Sequence, residues 1–262
     1  MGCSDSKSAQ VSSQSKVANG PSDRQPETNN SVPESASGET KPTEAESSSK
    51  ASIVLYYFDV RARAEPIRLI LHYSGIQFDD RRLTNEEWGN IKKNGEFCGH
   101  FGQLPYAEVN GEAISQSKAL IRFAAREAGV LGENAWEIAR ADSLVDTEND
   151  ILMALARVEF STGDDAEAMK AEFVGTTLPL KMARLEKTLE ANNGGKGFLV
   201  GNKVTHADFV LFNVIETVEN LAKAMEKGDM LDNYPLIKDH TKRIRELPTL
   251  QDYLKDRPDT KF

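Results

Sequence analysis

The sequence predicts a compact α/β unit followed by an all-helical unit, with a long disordered segment in front of both. Two observations lead to this fold class. Residues 1–50 are rich in serine and poor in apolar side chains, so the composition changes sharply where they end. After them, strand patterns alternate with helical spacing only as far as residue 130, and from Trp136 onward the apolar spacing is helical alone.

Residues 1–50 are expected to be disordered. They contain 13 Ser and no Ile, Leu, Phe, Trp or Tyr, and only 9 of the 50 are Ala, Val, Met or Cys. Such a segment buries too little apolar surface to offset the entropy that is lost on ordering. It has no hydrophobic stretch typical of a secretory signal, and no run in the chain approaches the roughly 18 apolar residues that span a bilayer.

The charge and the cysteine content exclude further classes. The chain has 41 Asp and Glu against 32 Lys and Arg, a formal net charge of -9. A general nucleic-acid binder needs a basic face to displace counterions from phosphate, so no nucleic acid is expected as a partner. Two cysteines cannot form a disulfide framework, which favours a reducing compartment and a cytoplasmic location.

The first six residues, Met-Gly-Cys-Ser-Asp-Ser, fit the pattern M-G-x-x-x-[ST] for N-myristoylation. Gly2 would carry the myristoyl chain. One such chain binds a bilayer only marginally, and S-palmitoylation of Cys3 would supply the second anchor. This reading places the protein at the cytoplasmic face of a membrane. The alternative is a plain disordered leader in which Gly2 and Cys3 occur by chance.

The α/β unit is predicted in the order β-α-β, then β-β-α. The continuous apolar run at 53–58 indicates a strand buried on both faces. Helical spacing follows it and ends at Gly75, a suitable helix C-cap. Asn110-Gly111 indicates a hairpin turn. The other predicted segments are a strand at 76–83, an irregular stretch through Trp88 and Lys92, strands at 104–109 and about 112–114, and a helix from Gln116-Ser117 to about Gly129.

The second unit is predicted as a helical bundle. Helices are expected at 136–160, at 167–191 with a kink at Pro179, after Thr205, at 234–245 and at 249–255. Residues 205–208, Thr-His-Ala-Asp, have the form of a capping box, and His206 within it is expected to be partly exposed. Asp142, Asp146 and Asp150 share one helix face, which suggests either a partner cation or a solvated surface.

Several motifs together resemble the cytosolic glutathione transferases, nearest the sigma class, and the resemblance spans residues 52–260. It implies a thioredoxin-like N-terminal domain at 51–130 and an all-α domain at 131–262, assembled as a homodimer. The motifs are Tyr-Phe-Asp-Val-Arg-Ala-Arg-Ala-Glu-Pro-Ile-Arg at 57–68, Glu-Trp-x-x-Ile-Lys at 87–92, Phe-Gly-Gln-Leu-Pro at 101–105, Gln-Ser-Lys-Ala-Leu-Ile-Arg-Phe at 116–123 and Gly-Asn-Lys-Val-Thr-His-Ala-Asp-Phe at 201–209.

The resemblance implies that the chain conjugates glutathione, its co-substrate, to hydrophobic electrophiles bound between the two domains. Tyr57 matches the tyrosine that stabilises the thiolate, with Tyr56 as its rival. Arg63 is the favoured nearby cation and Arg68 the alternative. Ala62 stands where a Gly is common, which is harmless if the residue is helical. The alternatives are a glutathione-dependent isomerase of the prostaglandin-synthase type and a non-catalytic, membrane-tethered glutathione-binding scaffold.

The same resemblance assigns residues to the ends of the tripeptide. The γ-glutamyl end would meet Gln116 and Ser117 at a helix start, where backbone N–H groups and the helix dipole favour a carboxylate. Trp88 and Lys92 match the glycyl end, and Asp150 matches the residue that reaches the neighbour's glutathione ammonium. No metal is expected, because Asn149 replaces an Asp of some relatives. Phe58, Gln103 and a cis bond at Leu104-Pro105 complete the predicted site, and Cys98 and His100 lie in a loop of unassigned role.

Overall fold

The computed structural model describes residues 52–94, 101–163, 165–225 and 230–260, without the side chains of 148 and 149. These residues belong to a unit that spans Ser49–Phe262. The predicted tail, its acylation residues Gly2 and Cys3, and the loop residues Cys98 and His100 lie outside the described residues. No helix in the described ranges is both long enough and apolar enough to cross a bilayer.

The described residues form four strands and nine α-helices, and all the strands precede the fourth helix, so the predicted fold class is confirmed. The strands are β1 (Ile53–Phe58), β2 (Asp79–Leu83), β3 (Tyr106–Val109) and β4 (Glu112–Ser115), and the helices are α1 (Glu65–Ser74), α2 (Asn85–Asn94), α3 (Ser117–Glu127), α4 (Ala135–Glu159), α5 (Ala166–Glu172), α6 (Leu178–Ala191), α7 (His206–Ala224), α8 (Pro235–Arg245) and α9 (Gln251–Asp256).

The four strands form one mixed sheet in the order β2-β1-β3-β4. Strand β1 pairs in parallel with β2 and antiparallel with β3. The prediction that β1 is buried on both faces is wrong: Ile53, Leu55 and Tyr57 are buried, whereas the alternate residues are only half-buried. Successive side chains of a strand point to opposite faces, and on the second face Tyr56 stacks on Tyr106 with ring centroids 4.4 Å apart.

Helix α2 occupies the stretch that was expected to be irregular. Its start is fixed by reciprocal hydrogen bonds: the Thr84 N–H donates to Glu87 Oε2 at 2.7 Å, and the Glu87 N–H donates to Thr84 Oγ1 at 3.1 Å. This is a capping box of the form T-x-x-E. The pattern is legible in the sequence, but Trp88 is the sole buried residue of α2, so the helix has little apolar periodicity to reveal it.

The predicted kink near Pro179 takes the form of a π-helical turn. Residues Phe173–Thr177 make this turn between α5 and α6, and Pro179 is the second residue of α6. Proline has no N–H to donate and is tolerated in the first turn of a helix, so the regular hydrogen-bond pattern restarts there.

Helix α7 starts at the predicted capping box. Thr205 N–H and Oγ1 both donate to Asp208 Oδ2, at 2.7 and 2.9 Å. The Asp208 carboxylate is fully buried and also accepts from the Leu199 N–H at 2.8 Å. His240 Nε2 lies 2.8 Å from Asp208 Oδ1. One carboxylate therefore joins the start of α7 to the preceding loop and to α8.

The expected exposure of His206 is wrong, because the side chain is fully buried. Its Nε2 lies 3.0 Å from Asp142 Oδ1 on α4, and its backbone N–H donates to the Val130 carbonyl at 2.9 Å. Helix α7 packs against α4, and α4 covers the first turn of α7. A capping pattern describes hydrogen bonds within one turn of a helix, so it could not predict that α4 buries the His206 side chain.

The first helix is tied to the end of the chain by a buried acid. Glu65, the first residue of α1, is fully buried and lies 3.5 Å from the Arg68 guanidinium. Its carboxylate accepts from the Tyr253 hydroxyl at 2.9 Å and from Arg257 Nη1 at 2.7 Å. Arg257 also bonds both carboxylate oxygens of Glu216 on α7, at 2.8 and 2.7 Å.

Candidate functional site

A cleft of about 720 Å³ opens beside the end of β1. One wall is formed by β1, the loop after it and the end of β2, and the other by one face of α4. Tyr57 lines the cleft although only 7% of its surface is exposed. The remaining lining residues are Phe58, Asp59, Val60, Ala62, Arg63, Leu83, Thr84, Asn85, Leu152, Met153, Leu155, Ala156 and Phe160.

Strand geometry decides between the two tyrosines. Tyr56 points to the opposite face from Tyr57, where its hydroxyl donates to Glu108 Oε2 at 3.3 Å. It does not line the cleft. The phenol that reaches the cleft is therefore that of Tyr57, and Tyr56 is left with a role in the packing of the sheet.

The phenol of Tyr57 keeps its proton at neutral pH. Burial raises its pKa above the ordinary value of about 10, whereas a hydrogen bond from the Arg63 backbone and the charges of Arg63 and Arg68 act to lower it without cancelling the effect. A neutral phenol is a hydrogen-bond donor. The group can therefore donate to an anion in the cleft.

Arg63 supplies positive charge to the same cleft. Its Nη2 contacts Met153 Sδ on α4, and no carboxylate of the described residues forms an ion pair with it. A thioether sulfur is a weak acceptor and carries no formal charge. The contact therefore orients the guanidinium but leaves its charge available to an anionic ligand.

Arg68, the alternative cation, is already occupied. The side chain is fully buried, and its Nε lies 3.0 Å from Asp80 Oδ1. Its Nη1 donates to the Val60 carbonyl at 2.7 Å and lies 3.5 Å from Glu65. Arg68 does not line the cleft, so the structure gives it the role of holding the loop between β1 and α1.

Ala62 in this loop is not in the right-handed helical conformation that would make its side chain harmless. Its φ is +33°, in the region that favours glycine. A left-handed conformation costs an L-residue about 1–2 kcal/mol, and hydrogen bonds on both sides hold the loop in place. Asn213 Nδ2 of α7 donates to the Ala62 carbonyl at 3.0 Å, and the Arg61 N–H donates to Thr260 Oγ1 at 3.3 Å.

The predicted γ-glutamyl residues lie close to the same loop. Gln116 precedes α3 with a φ of +78°, and Ser117 is the buried first residue of that helix. Ser117 and Arg63 line a common cavity of about 20 Å³. The Leu104-Pro105 bond is cis, and the turn that it makes leads directly into β3. The N-terminus of α3 is thus placed beside the cation of the cleft.

Other predicted contacts lie away from the cleft. Trp88 and Lys92 meet each other on α2, with Lys92 Nζ 5.4 Å from the centroid of the Trp88 ring, but neither lines the cleft. Gln103 is exposed beside the cis bond. Asp150 is exposed on α4, and no ion pair of Asp150 is present within the described ranges. The arrangement leaves Lys92 and Asp150 open to a ligand or a second chain.

Two of the three aspartates on the acidic face of α4 pair with a cation, and Asp150 is the third. Arg122 Nε lies 2.7 Å from Asp142 Oδ1, and Lys118 Nζ lies 3.0 Å from Asp146 Oδ1. Burial acts to raise the pKa of Asp142, but hydrogen bonds from Arg122 and His206 outweigh it and hold that pKa below its ordinary value. These pairs fix α3, whose first residue is Ser117, against α4.

Sequence reasoning missed the α4 wall of the cleft and the Asn213 contact. Leu152, Ala156 and Phe160 follow one another at intervals of four residues on α4, and Met153 adjoins the first of them. The interval was readable as an apolar stripe. The signal that separates a cleft wall from core is the exposed aromatic at its end, because Phe160 is 76% exposed.

Comparisons with known proteins agree on one family. A family model described as "Glutathione S-transferase, C-terminal domain" matches residues 149–257. The chain is 34% identical to "Glutathione S-transferase 1" of Ascaris suum over 216 residues, 79% of this chain and 98% of that protein. It is 35% identical to "Hematopoietic prostaglandin D synthase" of Gallus gallus, over 79% of this chain and 96% of that protein. A solved structure titled as monomeric Na-GST-3 of Necator americanus superposes with a TM-score of 0.70 at 33% identity, over 80% and 100% of the two chains.

Proposed function

Because the chain belongs to the cytosolic glutathione transferases, we propose that it conjugates the thiolate of glutathione to hydrophobic electrophiles, with Tyr57 as the residue that stabilises the thiolate. The observation that carries the proposal is the protonated phenol of Tyr57 on an apolar cleft beside a cation, Arg63, that lacks a carboxylate partner among the described residues. The site residues and the domain boundaries at 130 and 131 are part of this proposal.

Tyr57 and Arg63 can supply the free energy that is needed to lower the pKa of the glutathione thiol. Lowering the pKa of a thiol from about 8.5 to about 6.5 takes about 2.7 kcal/mol, at 1.36 kcal/mol per unit. A hydrogen bond to a charged group contributes about 1.5–3 kcal/mol, and Arg63 adds an attractive charge. The thiol proton passes to solvent, the sulfur forms a bond to the electrophilic carbon, and the leaving group departs with its electron pair.

The direct test is conjugation of a chlorodinitrobenzene-type electrophile by the parent protein, followed as product formed and glutathione consumed. Turnover with consumption of glutathione supports the transferase. Retention on a glutathione resin without turnover would favour the scaffold.

A second candidate is a glutathione-dependent isomerase, which the similarity to the chicken prostaglandin D synthase favours. It would use the same sulfur site, but glutathione would leave unchanged after each cycle. Incubation with a prostaglandin precursor separates the two activities, since isomerisation forms product without net loss of glutathione.

We also propose that the chain forms a homodimer, in which Asp150 contacts the glutathione bound to the neighbouring chain. An exposed carboxylate that pairs with the neighbour's glutathione ammonium is worth about 0.2–1 kcal/mol, so Asp150→Asn should raise KM for glutathione about 1.4- to fivefold and leave kcat unchanged. Steady-state kinetics measures the split, with Asp146→Asn as control because Asp146 already pairs with Lys118 of its own chain. A mass near 28.9 kDa by sedimentation, that of one chain, would contradict the assignment.

Membrane attachment through the N-terminus is proposed from the motif at Gly2 and from the adjacent Cys3. Gly2→Ala should move the full chain from the membrane fraction to the soluble fraction, because the myristoyl chain can no longer be attached. Cys3→Ser should give partial release, since a single chain binds weakly. The measurement is fractionation with labelled myristate, and partitioning that is unchanged by Gly2→Ala would rule out acylation as the anchor.

A further inference from the structure

One peptide unit of the β1–α1 loop connects the catalytic tyrosine to the core of the helical part. Its carbonyl, that of Ala62, accepts from Asn213 Nδ2 at 3.0 Å. Its N–H, that of Arg63, points toward the phenol oxygen of Tyr57 and acts to lower the pKa of that phenol. A trans peptide is planar and directs its C=O and N–H to opposite sides, so a bond that fixes the carbonyl also fixes the direction of the N–H.

We infer that Asn213 is a positioning residue for the reaction: it holds the Ala62 carbonyl so that the Arg63 N–H stays aimed at the phenol oxygen of Tyr57. The inference rests on the proposed function, because it assigns a support to the thiolate-stabilising group. A phenol oxygen that accepts an N–H makes its own O–H a stronger donor, since chained hydrogen bonds polarise one another. Asn213 is therefore expected to influence the pKa of the glutathione thiol.

The environment of Asn213 supports a dedicated role. It is 1% exposed and lies within the buried stretch Phe209–Val218 of α7, where an amide needs a partner. Its amide donates to the Ala62 carbonyl, and Asn213 lines the small cavity that is also lined by Arg63 and Ser117. The Asn213 amide therefore lies beside Arg63, the cation proposed for the thiolate, and beside Ser117, proposed for the γ-glutamyl end.

The β1–α1 loop is expected to need the hydrogen bond from Asn213 to keep its conformation. Ala62 has a φ of +33°, which an L-residue leaves readily when nothing holds it. The neighbouring bonds act on a different peptide, the one between Val60 and Arg61: Arg68 holds its carbonyl, and Thr260 holds its N–H. Removal of the Asn213 amide therefore releases the peptide between Ala62 and Arg63, while the peptide between Val60 and Arg61 remains tied.

The test measures the apparent pKa of the bound glutathione thiol, from the pH dependence of kcat/KM and from thiolate absorbance. Asn213→Leu removes the donor at similar volume. It should raise the thiol pKa by about half a unit to one unit, lower kcat/KM about three- to tenfold at pH below the parent thiol pKa, and leave KM for glutathione nearly unchanged. Asn213→Ser is the second variant, because a helical serine can bond its own backbone and the chain should fold.

Two further variants separate positioning from packing. Thr217→Val removes another buried hydrogen bond of α7, from Thr217 Oγ1 to the Asn213 carbonyl at 2.9 Å, and leaves the bond from the Asn213 amide to the loop in place. It should lower Tm without a shift of the thiol pKa. In the Ala62→Gly background, Asn213→Leu should shift the thiol pKa less, because glycine adopts the loop conformation without support.

The outcomes are distinguishable. A thiol pKa that both Asn213 variants leave at the parent value, while Tyr57→Phe raises it, overturns the inference and keeps the proposed function. A shift by Asn213→Leu that is equally large in the Ala62→Gly background also overturns it, because the loss would then not run through the loop conformation. A thiol pKa that Tyr57→Phe does not move contradicts the proposed role of Tyr57 and the inference with it.

Discussion

Tyr57→Phe is expected to lower kcat/KM for conjugation about 50-fold at about pH 6.5. If the phenol accounts for most of a thiol pKa near 6.5, its loss returns that pKa toward about 8.5, and the thiolate fraction at pH 6.5 falls from about one half to about 1%. The same arithmetic predicts only about a twofold loss at about pH 8.5. Conjugation rates across this pH range, together with thiolate absorbance of the bound complex, measure both values.

The chain offers a matched control one residue away. Tyr56→Phe removes a hydroxyl from the same strand on the opposite face, where it bonds Glu108 at 3.3 Å. It should leave the rate and its pH dependence unchanged. Retention of Tyr57→Phe on a glutathione resin should also persist, because the proposed contacts hold the tripeptide mainly through its ends. A Tyr57→Phe enzyme with the parent rate at about pH 6.5 would contradict the assignment.

Asp208→Ala is expected to lower the free energy of unfolding by about 3–5 kcal/mol, because several buried groups lose a charged hydrogen-bond acceptor at once and each unsatisfied group costs about 1–3 kcal/mol. The carboxylate is fully buried and lies at 2.7–2.9 Å from four donors on Leu199, Thr205 and His240. Without it, two backbone N–H groups, a hydroxyl and an imidazole lose their acceptor while they remain buried. Urea unfolding, followed by circular dichroism, measures the change.

Asp232→Ala is the control for the loss of an acid that is paired but exposed. Asp232 pairs with Lys238, and its side chain is 58% exposed, so solvent screens the interaction and its removal should cost less than about 1 kcal/mol. Equal costs for the two substitutions would mean that the buried hydrogen bonds of Asp208 add nothing to the stability of the helical part.

Features set by local chemistry could be predicted from the sequence. Gly75 ends α1 in the left-handed conformation, with a φ of +67°, and Asn110-Gly111 forms the hairpin turn with both φ values positive. The Thr205–Asp208 box starts α7 as expected. Each depends on residues within a few positions of one another, and the side-chain preferences at those positions are strong.

Features that depend on distant residues could not be predicted. The burial of His206 follows from the packing of α4 on α7, and the occupation of Arg68 by Asp80 follows from the pairing of β1 with β2. The cleft wall at Met153 is brought to Arg63 across 90 positions of sequence, and Asn213 reaches Ala62 across 151. Spacing along one helix does not say which distant loop its face will meet.

The acid at the start of α1 has a consequence for biosynthesis. Two donors to the buried Glu65 carboxylate come from Tyr253 and Arg257, which lie 188 and 192 positions further along the chain. A buried carboxylate that lacks its partners is costly by several kcal/mol, so the first helix cannot reach its final setting until both residues have left the ribosome. The loop that leads from β1 into α1 therefore cannot adopt its final conformation while only the strands and the first helices have been synthesised.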